Sequence, residues 1–262
     1  MTCKAFIVAV FAITCPGVAD VAHGAEAVYH HVHLAAADPE SAAQWYIEHM
    51  GCEVMRDRTD RCQFGTMYLF FRPGPTKGGS DGSAINHIGF SFTHLDAKMK
   101  AFEAAGVNVV TPIRDEPGLF KLAFVEDPWG TRIAVIEDPD SLGFHHIHVR
   151  SENPVASLTW YHTVLGGELA MLKGRLDGLR LGNAWLLATR QTGEQVAPSE
   201  GRAIDHLAFA VPDLERAAAE IRENGVQFSR EPWILENGPF AKASTIMSPD
   251  GVRVEVIEPF QK

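Results

Sequence analysis

"INHIGFSFTHLDAKMKAFEAAGVNV" (85–109) and "IDHLAFAVPDLERAAAEIRENGVQF" (204–228) are the same sentence written twice. Each runs as an apolar strand, a short turn, an amphipathic helix, a glycine and a second strand. The continuations match as well, "DPWGTRIAVIEDP" (127–139) against "SPDGVRVEVIEP" (248–259). Two histidine-rich stretches head the other pair of units. "YHHVHLAAADPESAAQWYIEHMGCEV" (29–54) aligns with "FHHIHVRSENPVASLTWYHTVLGGEL" (144–169). Internal repeats at a near-constant offset mean a duplicated two-module unit with small loop insertions.

Helix boundaries are marked in the sequence. Asp38-Pro39 and Asn153-Pro154 supply a capping side chain followed by proline at the first helical position, and Asp213 caps the last helix. Gly51, Gly106, Gly166 and Gly225 fall where a left-handed C-terminal residue belongs. Gly/Pro/Ser-rich connections run over 73–84 and 191–202, and the short "DPDSLG" (138–143) joins the halves. Each module therefore reads βαβββ, and the chain as an α+β protein with an N-terminal domain over 28–138 and a C-terminal domain over 144–260. Trp45-Tyr46 and Trp160-Tyr161 repeat at one helix position and read as core packing.

The first residues have a different character. Lys4 precedes the apolar run "AFIVAVFAITC" (5–15), too short to cross a bilayer, and small residues follow it. Residues 1–27 thus read as a secretory signal, and the mature chain as secreted or periplasmic, with no membrane association after cleavage. Cys52 and Cys62 remain after that cleavage, and their spacing suits either a disulfide or two buried thiols. A formal net charge of −10 argues against a nucleic-acid partner.

Strand parity picks out a candidate site. Side chains alternate between the faces of a strand, and the apolar residues mark the face packed on the helix. In 144–150, Ile147 and Val149 take the helix side, which leaves His146, His148 and Arg150 on the other face and His145 on the wrong one. In 204–211 the same argument turns His206 away from the helix, and in 252–257 it turns Arg253 and Glu255 away. Two imidazoles and a carboxylate form a competent facial set for a divalent metal, so His146, His206 and Glu255 are the candidate ligands. His148 is the candidate general base, and Arg150 and Arg253 are candidate clamps for an anionic substrate. In the front half His31 and His87 hold the corresponding positions, but Ala134 replaces the acid, so that half reads as degenerate.

This pattern resembles the vicinal oxygen chelate superfamily, which includes glyoxalases, fosfomycin-resistance transferases, epimerases, extradiol dioxygenases and bleomycin-resistance binding proteins. The resemblance covers 28–260 and implies four βαβββ modules pairing two by two into open half-barrels. It also implies one divalent ion (Fe, Mn, Zn or Ni), a small oxygen-chelating substrate, and a monomer or homodimer. "HHI" at His146, "DHL" at His206 and the acid Glu255 carry it. Glyoxalase-like and epimerase-like members add a fourth ligand, an acid or amide, whereas the strand 183–190 offers Trp185, Leu186 and Leu187. Extradiol enzymes place a histidine and a tyrosine between the second ligand and the acid, and this chain has neither. The reading is a metal-dependent lyase, transferase or dioxygenase, with a metal-free small-molecule binding or sequestering protein on the same fold as the alternative.

Overall fold

The computed structural model describes residues 27–193 and 195–260. The expected secretory signal lies almost entirely outside the described residues. Four βαβββ modules follow one another. The first is β1 (Val28–Ala36), α1 (Pro39–Met50), β2 (Glu53–Val54), β3 (Arg61–Phe64) and β4 (Met67–Pro73). The second is β5 (Ile85–Ser91), α2 (Leu95–Ala104), β6 (Asn108–Asp115), β7 (Lys121–Glu126) and β8 (Arg132–Glu137). The third is β9 (Gly143–Ser151), α3 (Pro154–Leu165), β10 (Glu168–Leu172), β11 (Leu176–Leu181) and β12 (Ala184–Arg190). The fourth is β13 (Ile204–Ala210), α4 (Leu214–Glu223), β14 (Phe228–Ile234), β15 (Lys242–Met247) and β16 (Arg253–Glu258).

The caps form as the sequence predicts. Asp38, Asn153 and Asp213 each accept a backbone N–H from the residue three positions on. Gly51 ends α1 at φ 78°, a conformation that costs a side-chain-bearing residue its Cβ clearance. The residues assigned to the helix-facing side, Ile147, Val149, Leu207, Phe209, Val254 and Val256, are all fully buried in the main core. Tyr46 and Tyr161 are buried there too.

Two eight-stranded mixed sheets result, and each takes modules from both halves of the chain. Sheet one runs β14-β15-β16-β13-β1-β4-β3-β2, and sheet two runs β10-β11-β12-β9-β5-β8-β7-β6. The first module therefore pairs with the fourth and the second with the third, so neither 28–138 nor 144–260 forms a sheet by itself. Connection length explains the exchange. Only residues 138–142 separate β8 from β9, and the chain stays in sheet two across them. The longer segments 74–84 and 191–203 are the ones that cross between sheets. They cross side by side, with Lys77 N–H donating to Gly201 O, Ala203 N–H to Gly78 O, and a parallel bridge between Ser83 and Ala197. Each module exposes its first strand as an edge, and the edges zip antiparallel, β1 with β13 and β5 with β9.

Side chains reach across between the sheets. Tyr46 of α1 donates its hydroxyl to Asp127 in the turn after β7, and Ser157 of α3 does the same to Asp250 after β15. Cys52 and Cys62 are joined as a disulfide, Cα to Cα 5.7 Å, which decides between the two readings left open by their spacing. Among the described residues no helix is long and apolar enough to cross a membrane.

Candidate metal centres

The strand zipper that joins modules also decides which histidines meet. His33 lies directly opposite His206 across β1 and β13, and His87 lies opposite His148 across β5 and β9. Two clusters form: His31, His33 and His206 in sheet one, and His87, His146 and His148 in sheet two. The expected set of His146, His206 and Glu255 is therefore divided, because His146 belongs to the other sheet. His206 and Glu255 do share a face, but their partner imidazoles are His31 and His33 of the half that the sequence marked as degenerate.

Two bulges per sheet refine each cluster. Tyr29 pairs with Phe209 and His31 with Ala208, so His30 is an extra residue in β1. His145 is extra in β9 in the same way. A bulge breaks alternation and re-aims a side chain. His145 consequently meets its neighbour, Nδ1 to Nδ1 of His146 at 2.9 Å, instead of pointing away as strict parity requires. Asp205 and Asn86 are the second pair of extra residues, in β13 and β5. Each bonds the Nδ1 of the following histidine, Asp205 to His206 and Asn86 to His87.

In sheet one, Glu255 Oε2 stands 3.5 Å from His31 Nε2 and 3.7 Å from His206 Nε2, while His33 Nδ1 is 3.2 Å from His206 Nε2. Ligands sharing an ion at about 2.1 Å stand roughly 3.0–3.4 Å apart, so modest closure completes a site. Asp205 accepts Nδ1–H of His206 and leaves Nε2 aimed inward, the carboxylate–histidine arrangement that metal sites use to fix a ligand. Asp205 is itself held by Arg72 at 3.0 Å, Arg253 at 3.1 Å and the Gly201 N–H at 2.6 Å. Burial works against its charge, but the bond to His206, the Gly201 N–H and the Arg72 guanidinium hold its carboxyl well below the usual range. Burial also lowers His31 and His33 well below an ordinary imidazole. His206 is raised in spite of its burial, because Asp205 and Glu255 favour its proton.

The walls are aromatic. Phe70 stacks on His31 at 4.3 Å between ring centroids, and Phe240 lies nearly parallel to the same ring at 6.0 Å. Tyr68, Trp233 and Leu235 pack around them. Phe70 sits opposite His33 on β4, the strand where a fourth ligand would stand, so sheet one places a ring there. His31 is 1% exposed and Glu255 12%, a site nearly closed in this conformation.

Sheet two repeats the geometry without the charge. Ala134 pairs with Gly89 as Glu255 pairs with Ala208, and Asn86 stands for Asp205. The candidate base His148 belongs here, brought down to about 4 by burial and by the neighbouring Arg150. The three residues expected to act together are thus split. His148 and Arg150 line sheet two, while Arg253 sits in sheet one and is engaged with Asp205 and Glu200. Asp205 and His33 are the site residues that parity alone missed, and His31, placed at the position matching His146, was assigned to the degenerate half. An aspartate in the otherwise apolar "IDHLAFA" was the available signal for the first.

The family model for the glyoxalase/bleomycin resistance protein/dioxygenase superfamily matches residues 28–135 and again 143–256. Glyoxalase I from Zea mays superposes with a TM-score of 0.70 at 18% identity, covering 88% of this chain and 92% of that one. A mutant form of the maize enzyme gives 0.71 at 19% identity with the same coverage. A Bacillus subtilis protein provisionally described as a dioxygenase gives 0.62 at 16% identity, covering 91% of this chain and 87% of that one. At these identities the likeness concerns the fold. No curated protein matches the sequence significantly.

Proposed function

The chain belongs to the glyoxalase/bleomycin resistance protein/dioxygenase superfamily, and on that premise we propose that it is a metal-dependent enzyme working on a small oxygen-chelating molecule at the sheet-one centre. One observation carries the reading. Asp205 pins Nδ1 of His206, so that Nε2 faces Glu255 and His33 within a nearly buried, carboxylate-bearing cluster.

His31, His33, His206 and Glu255 are the residues that would hold the ion. A divalent cation there supplies Lewis acidity toward a substrate offering two adjacent oxygens. The chain's own groups do the rest. Arg72 and Arg253 neutralise Asp205 and fix its orientation, which in turn fixes His206. Phe70 takes the fourth-ligand position without offering a donor atom, leaving coordination sites for substrate. Phe70, Phe240, Tyr68 and Trp233 exclude water and present flat apolar faces to the body of the substrate, which favours one with an aromatic or unsaturated portion. Phe240, in the turn 235–241, covers His31, and substrate entry moves that ring.

Export through residues 1–27 is part of the proposal, and the Cys52–Cys62 disulfide supports it, since such bonds persist in oxidising compartments. The test is metal analysis of demetallated and reloaded protein, followed by a turnover screen that records oxygen uptake. Loss of the sheet-one ion in His31→Ala, His206→Ala and Glu255→Ala is expected, with His146→Ala retaining it. A chain that takes up no Mn, Fe, Zn or Ni at these residues is a metal-free binding protein. Oxygen uptake separates a dioxygenase from lyase and transferase chemistry.

A further inference from the structure

We infer that the sheet-two histidines His87, His146 and His148 form a second, carboxylate-free metal site, selective for a late first-row ion such as zinc. The inference is independent of the sheet-one reading and rests on where the hydrogens of this cluster must lie. Two carboxylates at its rim set them. Asp138 carries an ion pair to Lys173 at 2.8 Å and accepts from His145, whose Nε2 is 3.3 Å from Oδ2. A carboxylate only accepts, so that nitrogen of His145 bears the hydrogen, and the Nδ1 of the neutral ring is a lone pair. His146 Nδ1, 2.9 Å away, must then be the donor, which leaves its Nε2 as a lone pair.

The other side follows in the same way. Asp81 accepts from the amide nitrogen of Asn86 at 2.9 Å, which fixes the amide so that its oxygen faces His87. His87 Nδ1 donates to that oxygen at 2.8 Å, and its Nε2 is a lone pair as well. These two lone pairs, on His146 Nε2 and His87 Nε2, face one another across 3.2 Å. No hydrogen remains to lie between them. The arrangement is repulsive when empty and suited to a shared cation.

A third imidazole stands beside them. His148 Nε2 is buried and has no hydrogen-bond partner, and the ligand atoms of all three rings lie within 4.8 Å of one another. A buried polar atom without a partner is costly and calls for an explanation. Close packing also holds the cluster. The His146 ring lies flat against Gly89, where a Cβ would fall 2.0 Å from its Cε1, so only glycine leaves room for the imidazole. The matching residue in sheet one is Ala208.

The donor set determines the metal. Three neutral imidazoles with no carboxylate suit Zn, Cu or Ni and disfavour the oxygen-seeking Mg, Ca and Mn. The two centres of one chain therefore differ in preference, the sheet-one site having Glu255 among its donors and Asp205 behind it. An ion in sheet two would also bridge β5 and β9 at the seam between the second and third modules.

Zinc alone is the probe, added to the metal-free full chain. The wild type should bind two ions, and His206→Gln/Glu255→Gln should retain one. Adding His148→Gln, a change at a partly buried position, should then weaken the remaining site at least tenfold, while circular dichroism reports an unchanged fold. Nitrogen-15 NMR of the metal-free wild type supplies a test that needs no variant. His87 and His146 should both appear as neutral rings protonated at Nδ1. A single zinc per wild-type chain, lost entirely in His206→Gln/Glu255→Gln, overturns the proposal. An Nε2-bound hydrogen on His87 or His146 also overturns it, since a hydrogen bond then occupies the place of the metal.

Discussion

Asp205→Asn is the substitution that weighs the sheet-one reading most directly. The change removes one charge and keeps the shape, and the protein already carries the result at Asn86 in the other sheet. An amide oxygen still accepts Nδ1–H of His206, so the ring keeps its tautomer. What is lost is the negative charge that makes His206 a stronger donor and offsets Arg72 and Arg253. Removing such a partner typically costs 10–100-fold in metal affinity, about 1.4–2.7 kcal/mol. Because Arg72 and the Gly201 N–H, which bond the other carboxylate oxygen, also lose their acceptor, apo stability falls too, so the informative quantity is the increment on adding metal. For a chain of this size each kcal/mol moves the melting temperature by roughly 2–4 °C. The metal-induced rise should therefore shrink by about 3–10 °C at a fixed, saturating Mn concentration. Calorimetric titration against a competing chelator gives the affinity itself. An unchanged Mn affinity in Asp205→Asn, with His206→Ala abolishing binding, would show that Asp205 serves the fold and not the ion, and would refute the reasoning.

Other perturbations test other parts of the molecule. Burial lifts Asp127 from an ordinary 3.8 to about 6, so the folded chain keeps that proton over a window in which the unfolded chain has released it. Stability attributable to this group is present below about pH 4 and declines by about 3 kcal/mol as pH rises to 6. Asp127→Asn removes the decline, so urea titrations at pH 3.5 and pH 7 should show the variant gaining about 3 kcal/mol on the wild type between them; an equal difference at both pH values contradicts the assignment. Opening the Cys52–Cys62 bond with a thiol reductant should cost about 2–3 kcal/mol, read as a lower urea midpoint, because it closes a short loop at the edge of sheet one. Phe240→Ala should cost roughly 3 kcal/mol in stability and speed metal entry to the sheet-one site in stopped-flow measurements. An unchanged rate would place the entry path elsewhere.

The modules, helix caps and core faces were legible because they depend on local signals. Asp38, Asn153 and Asp213 cap as read, and Ile147, Leu207 and Val254 are buried on the faces that parity assigned. The assembly of the sites depended on two things that parity does not carry. One is the partner of each first strand. Alignment pairs His31 with His146, whereas the fold pairs His31 with His206 and leaves His146 with His87. The brevity of 138–142 beside the longer 74–84 and 191–203 was the available clue, since the short connection keeps β8 and β9 in one sheet. The other is the set of bulges at His30, His145, Asp205 and Asn86. One extra residue shifts everything beyond it to the opposite face. Asp205 and His145, each adjacent in sequence to a proposed ligand, were thereby turned toward it.

The crossing of the two long connections also sets an order of assembly. Sheet two is drawn from one continuous stretch, 85–190, whereas sheet one needs both ends of the chain, with His33 and His206 meeting across 173 positions. Loop-closure entropy makes the inner sheet the less costly to close, and the outer one waits for the last module to leave the ribosome. The three-histidine cluster can thus exist on a partly made chain, while the carboxylate-bearing centre comes into being only when the final strand, with Glu255, docks. A chain that ends early by even that one strand would hold every imidazole of the sheet-one centre and lack Glu255, the carboxylate among its donors.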